Sequence, residues 1–308
     1  MDDFKDIKAD ASDKKIYRLF VDGTSFIGVY NENKKENLAF INFTKTFSDL
    51  NLNVPMILKI SDDYLSYLEE DLGDISLFKL TSDSESHISM NYYKQALSDL
   101  IKFQIAGKDH IDYNFCYQAK EFNSEVIRDD FNKFNTFYVR YFMKQNLSEE
   151  VLRLIDISCK VISNVDSEYF LYRDFQPRNI LFHDNKFYYI DYQTGRKGPL
   201  QYDLASFLYS GSIQLSKDER SNLVGHYLSD LRSYIPVNEE EFRHYFYYLS
   251  FLRLVQVLGS YAYQFKRKND KEILKKIPKA IENMKSLKNK IEDAEVRDFI
   301  TMLTESHL

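Results

Sequence analysis

The stretch that most limits what this chain can fold into runs from Phe170 to Leu208, FLYRDFQPRNILFHDNKFYYIDYQTGRKGPLQYDLASFL. Asp174 is followed five residues later by Asn179. His183-Asp184-Asn185-Lys186 then separates two apolar runs, and Asp191 ends the second of them. If Asn179 to Phe182 and Phe187 to Ile190 pair as a β-hairpin, Asn179 and Asp191 meet at its open end, next to the loop that presents Asp174. Moving a phosphoryl group requires a base or positioning group for the acceptor hydroxyl, and cations to neutralise the phosphates. The Asp174 carboxylate can take a hydroxyl proton, and the Asn179 side-chain oxygen and Asp191 carboxylate are hard ligands suited to Mg²⁺. A lone Asp-x-x-x-x-Asn is common in solvated loops with Asx turns. The ordered set continuing through Ile190-Asp191-Tyr192-Gln193 and Gly198-Pro199-Leu200-Gln201-Tyr202-Asp203-Leu204-Ala205 is far more specific.

Those three segments resemble the aminoglycoside/choline phosphotransferase family, a small-molecule branch of the protein-kinase-like fold. Within it they look most like the bacterial anomeric N-acetylmuramate/N-acetylglucosamine kinases. The resemblance implies an α+β, two-lobed fold with a small antiparallel sheet lobe (residues 1–73, ending in a hinge) and a larger helical lobe (74–308). It implies an ATP-dependent kinase with ATP and Mg²⁺ as cofactors, Arg173 and Asp174 as the catalytic pair with Asp174 as base, and Asn179 and Asp191 as metal ligands. Asp203 is implied as a helix-start carboxylate that braces the catalytic loop. Tyr172 departs from the pattern, because many members carry His two residues before the base.

At 308 residues and 44% hydrophobic the chain can bury a substantial core, and scarce Gly (9) and Pro (5) favour long helices. A formal charge of −6 offers no global attraction to nucleic acid or anionic membrane. Cys116 and Cys159 lie far apart without a Cys-x-x-Cys, which suggests neither a disulfide framework nor a zinc site. The start Met-Asp-Asp-Phe-Lys-Asp is not a basic-then-apolar signal, and no run of about 20 apolar residues occurs. The expectation is a soluble, cytoplasmic protein whose partner is a small-molecule substrate, with the oligomeric state left open.

Upstream, Ile16 to Val21 and Ser25 to Tyr30 flank Asp22-Gly23-Thr24, a hairpin signal. Phe40, Phe43, Phe47 and Leu50 recur at helical spacing within Asn33 to Leu50, and Val54 to Ile60 and Tyr64 to Glu70 read as two further strands. Gly73 then ends the sheet region, so backbone groups around Glu70, Asp71 and Leu72 are expected to bind adenine by resemblance; a plain acidic loop is the other reading. Ala9 to Lys15 stands where a phosphate-covering loop belongs but holds no glycine. Ser12 with Lys14 and Lys15 is the candidate substitute. The strand Ser25 to Tyr30 lacks the lysine many kinases use against the α- and β-phosphates. Glu36 therefore needs another cation, and Arg18 or Lys15 is the expected stand-in.

Beyond Met90 the pattern is helical, through Ser124 to Met143, Ser148 to Ser163, Leu215 to Tyr234 and Asn238 to Phe265. The Phe-Gln-Pro-Arg-Asn and Asp-Tyr-Gln segments are expected to put Gln176, Arg178 and Gln193 beside the base, Asp130 falls where sugar-kinase relatives place an acid, and Arg253 shares a helix face with Gln256 in an apolar run. All five are candidate substrate contacts, set against capping, surface or buried ion-pair roles. Amide and guanidinium donors suit an amino sugar or cell-wall sugar better than a polycation or a quaternary ammonium, for which carboxylates or an aromatic cage would be expected. Two alternatives stay open: an aminoglycoside- or choline-type phosphotransferase, and a pseudokinase-like regulatory module. The glycine-free loop and the missing third-strand lysine favour the module; the complete trio Asp174, Asn179 and Asp191 opposes it.

Overall fold

The architecture is that of a computed structural model, which describes residues 4–7, 14–82 and 86–305. Two compact units emerge, 1–120 with 172–197 and 121–171 with 198–308. In the first unit, residues 74–120 and 172–197 pack with the sheet and its helix.

The first unit holds a five-stranded antiparallel sheet, β1 (Phe4–Ile7), β2 (Lys15–Val21), β3 (Thr24–Tyr30), β4 (Ile57–Ile60) and β5 (Ser66–Glu70), in the order β1-β2-β3-β5-β4. The β2–β3 turn forms as expected, with Asp22 and Gly23 both at positive φ (48° and 79°). The helix α1 (Lys34–Asp49) is capped by the Asn33 side chain, which accepts from the Glu36 N–H. Its Phe40, Phe43 and Phe47 are buried, and each such side chain contributes roughly 1.5–3 kcal/mol. Phe40 stacks between Tyr67 and Tyr192, while Phe47 meets Phe103 edge-on at 4.8 Å. Phe103 belongs to the helix Ser86–His110, so this helix joins the sheet unit.

The expected hairpin is present as Ile180–His183 and Lys186–Tyr189, in register Ile180↔Tyr189, with Asp184 and Asn185 at positive φ in its turn. It is stitched to the sheet's connections: Asn53 Nδ2 donates to the Phe187 carbonyl (3.0 Å), and Phe182 N–H donates to the Ile75 carbonyl (2.7 Å). These bonds tie the turn-side half of the hairpin to the segments that flank the sheet.

The second unit is helical. The helix Ser124–Lys133 does not run on unchanged to Met143; it widens into a π-helix over Phe134–Phe142. Here the helix Glu239–Lys268 comes close, for a Cβ on its Gly259 would lie 2.9 Å from the Phe134 backbone. Cys116 and Cys159 are free and half-buried. Among the described residues no helix is long and apolar enough to cross a membrane.

Candidate active site

Register decides which side chains share the inner face of the sheet. Ile16 pairs with Val29 and Val29 with Tyr67; Arg18 pairs with Ile27 and Ile27 with Glu69. Paired residues project to the same side, so these six share one face with Lys14 and Asp71. All eight line a cavity of about 970 Å³ that also reaches Leu72, Arg178, Asn179, Asp191 and Gln193. That is large enough for a nucleotide-sized ligand.

At one end stand the three residues of the spacing argument. Asn179 Nδ2 donates to the Asp174 carbonyl (2.9 Å) and to Asp191 Oδ2 (3.1 Å), and Ile190 N–H donates to the Asn179 carbonyl (3.1 Å). With its nitrogen so engaged, the Asn179 side-chain oxygen is the atom left to bind a cation. Asp191 sits at φ +69°, and its Oδ1 accepts from Gln193 Nε2 at 2.8 Å. Burial, and then the charge of Asp174, pushes its carboxyl up to about 6. Among the described residues no three His, Cys, Asp or Glu side chains gather to hold a metal by themselves. One carboxylate plus one amide oxygen fits Mg²⁺, which completes its shell with water and substrate phosphates.

Tyr172 stands where many members of the resembled family carry His. Its ring is fully buried, and its hydroxyl donates to the Ile190 carbonyl at 2.5 Å, directly before Asp191. Arg173, at φ +75°, donates to Gln118 Oε1, which also accepts from the buried Arg196 (2.9 Å); Thr194 Oγ1 reaches Asp174 Oδ2 at 3.4 Å.

The cation opposite Glu36 is Lys14, with Nζ 2.9 Å from Oε1, and this corrects the expectation of Arg18 or Lys15. Side-chain alternation is the reason. Lys15 points to the other face, 5.8 Å from the Tyr30 ring centroid, and Arg18 is held by Asp71 (2.5 Å) and Asp74 (2.9 Å). Gln193 Nε2 lies 3.4 Å from Glu36 Oε1, so Lys14, Glu36, Gln193, Asp191 and Asn179 form one continuous polar chain. Ser12 lies outside the described residues.

At the expected hinge, Asp71 and Leu72 line the cavity, whereas the Glu70 N–H already donates to the Met56 carbonyl and its carboxylate accepts from the Met56 N–H. The residue facing inward is Glu69, which the sequence reading passed over. Burial pushes its carboxyl up to about 8 against the pull of Lys14, and its Oε2 is enclosed without a hydrogen-bond partner.

Of the expected substrate contacts, Arg178 lines the cavity with its guanidinium 4.9 Å from the Phe78 ring centroid. Gln193 is engaged with Asp191 and Glu36 rather than turned to a substrate. Gln176 is half-buried, and its carbonyl accepts from Asn179 N–H. Asp130 and Arg253 belong to the second unit; Asp130 is half-buried, and the buried Arg253 donates to the half-buried Gln256 at 2.8 Å. Asp203 is fully buried in the first turn of the helix Leu200–Leu208, also in the second unit.

Residues 125–237 match the model of the phosphotransferase enzyme family, a span that includes Asp174, Asn179 and Asp191. An N-acetylmuramate/N-acetylglucosamine kinase of Neisseria meningitidis is 22% identical over 306 residues, covering 96% of this chain and 88% of that protein. Among solved structures, the amicoumacin kinase hAmiN in complex with AMP-PNP, Ca²⁺ and Ami superposes with a TM-score of 0.68 at 12% identity (95% of this chain, 90% of that one). Choline kinase LicA of Streptococcus pneumoniae superposes at 0.60 and 15% identity (87% and 88%). The chain thus has the α+β, protein-kinase-like fold, matches the phosphotransferase enzyme family over residues 125–237, and is by class a phosphotransferase.

Proposed function

We propose that this chain transfers the γ-phosphoryl group of MgATP to a hydroxyl of an amino sugar or related cell-wall sugar. The observation that carries the reading is the joining of Asp174 and Asp191 through one Asn179 side chain at the end of a nucleotide-sized cavity. Asp174 accepts the hydroxyl proton, and Thr194 and Arg173 hold the loop that presents it. Asn179 Oδ1 and the Asp191 carboxylate hold Mg²⁺, which supplies charge neutralisation at the phosphates when bound. Lys14, anchored by Glu36, faces the phosphates in place of a third-strand lysine. The sheet to Gly73 is the nucleotide-binding lobe, with Asp71 and Leu72 at the base, and the cytoplasm is its place of work. The lysine–glutamate pair supplies a cation where the third-strand lysine is missing, and the glycine-free loop stays as the remaining ground for a pseudokinase.

For the acceptor, Arg173, Gln118 and Arg196 gather amide and guanidinium groups beside the base, which suit hydroxyl, acetamido or carboxylate groups. The similarity to the Neisseria kinase supports the same choice. A coupled ADP-release screen with N-acetylmuramate, N-acetylglucosamine, kanamycin and choline tests it. Turnover is expected with a sugar and lost in Asp174→Asn; turnover confined to kanamycin or choline refutes the sugar assignment.

A further inference from the structure

Tyr117 lies in the irregular segment between the 3-10 turn Tyr113–Phe115 and residue 120, and no motif marks it. Its position is set by a chain of hydrogen bonds whose direction can be worked out. Arg173 and Arg196 both donate to one end of the Gln118 amide. Arginine has donors and no acceptor, so that end is the oxygen, and the amide cannot be turned around. The other end is therefore the NH₂ group, and it donates to Tyr117 Oη at 2.8 Å. Oη is then an acceptor in this bond, which leaves the phenolic hydrogen to be donated elsewhere, and among the described residues nothing accepts it.

The ring lines the cavity that Asn179 and Asp191 also line. The phenol stands in the field of Glu36, Arg173, Asp174 and Asp191. Burial first, and then Glu36, raises its titration far above the ordinary tyrosine range despite the opposing Arg173, so the hydrogen is retained at any physiological pH. The groups around it are thus the proposed base, the proposed metal carboxylate and the acid that anchors Lys14. A ligand there must accept hydrogen bonds.

We infer that Tyr117 donates a hydrogen bond to an oxygen of the γ-phosphoryl group, with Arg173 and Arg196 setting its orientation through Gln118. The inference rests on the MgATP reading above. The donor is neutral, so it adds a contact to the group in transit without adding charge to a site already holding Lys14 and, when loaded, a divalent cation. No proton changes hands in this contact, and Asp174 remains the base.

The test compares two nucleotides that differ only beyond the β-phosphate. MgAMP-PNP and MgADP are titrated calorimetrically into wild type and Tyr117→Phe, with thermal melts to confirm an intact fold. A hydrogen bond to a charged acceptor corresponds to roughly tenfold or more in affinity, so Tyr117→Phe should weaken MgAMP-PNP about tenfold and leave MgADP unchanged. Gln118→Leu, which releases the phenol without removing it, should give a smaller loss for MgAMP-PNP alone. Equal weakening of both nucleotides, or of neither, overturns the inference, and unchanged MgAMP-PNP binding would assign the phenol to the acceptor instead. Wild type that binds neither nucleotide overturns the underlying reading as well, so the two failures are distinguishable.

Discussion

Lys14→Met is the most informative change at the nucleotide end of the site. Lys14 Nζ and Glu36 Oε1 are 2.9 Å apart, with side chains only 9% and 14% exposed. At an effective dielectric of about 20 their gross attraction is roughly 6 kcal/mol, much of it offset by desolvation. Removing the lysine alone leaves a largely buried carboxylate without its cation, at about 3 kcal/mol, the lower end of the range for broken buried pairs. The melting temperature should therefore fall by several degrees. Loss of a cationic donor to phosphate should weaken MgATP by roughly tenfold or more. The double variant Lys14→Met/Glu36→Gln separates the two effects, because it no longer strands a charge: its stability should return toward wild type while its affinity does not. Lys15→Met is the control, since that side chain lies on the opposite face near Tyr30. Calorimetric titration and thermal melts read both quantities. If Lys15→Met weakens MgATP as much as Lys14→Met, or if the double variant regains affinity, the assignment of Lys14 is wrong.

Tyr172→Phe should lower stability by about 1–3 kcal/mol, because it strips the donor from a carbonyl beside a fully buried ring; an unchanged melting temperature would show that the contact braces nothing. Glu69→Gln tests the raised carboxyl. An acid whose folded value lies near 8 holds its proton longer in the folded than in the unfolded chain, so wild-type stability from this group is full below about 4.5, declines as pH rises to about 8 and is level beyond. The glutamine variant should thus melt higher than wild type at pH 8.5 and nearly level with it at pH 5; the reverse order would place the Glu69 charge in a favourable pair.

The parts legible in sequence were those governed by local spacing. The hairpin that unites Asn179 with Asp191 has its own turn, and α1 declares its buried face through Phe40, Phe43 and Phe47. What escaped depends on register or on distant chain. Lys14 and Lys15 are adjacent lysines, and only the pairing of Ile16 with Val29 shows which of them faces the cavity; the alternation of Ile16 and Arg18 with Lys14 was the available signal. Arg18 finds Asp71 and Asp74, 53 and 56 residues away, so its engagement could not be read from its neighbours. The strand Phe4–Ile7 is four residues long and half polar, too weak a pattern to stand out, although it pairs fully with β2. The widened turn after Lys133 lies where Gly259 passes close to Phe134, a contact across more than a hundred residues. Tyr117 and Gln118 sit outside any regular element and gain meaning only from Arg173 and Arg196.

The central claim is that Asn179 and Asp191 make this a magnesium-dependent nucleotide site, and it can be tested without knowing the acceptor. ATP is titrated into wild type and into Asp191→Ala, each with and without Mg²⁺. The account predicts that Mg²⁺ tightens ATP binding to wild type, that Asp191→Ala loses this gain, and that Asn179→Ala does the same. Equal affinities of wild type and Asp191→Ala for ATP in the presence of Mg²⁺ would contradict it.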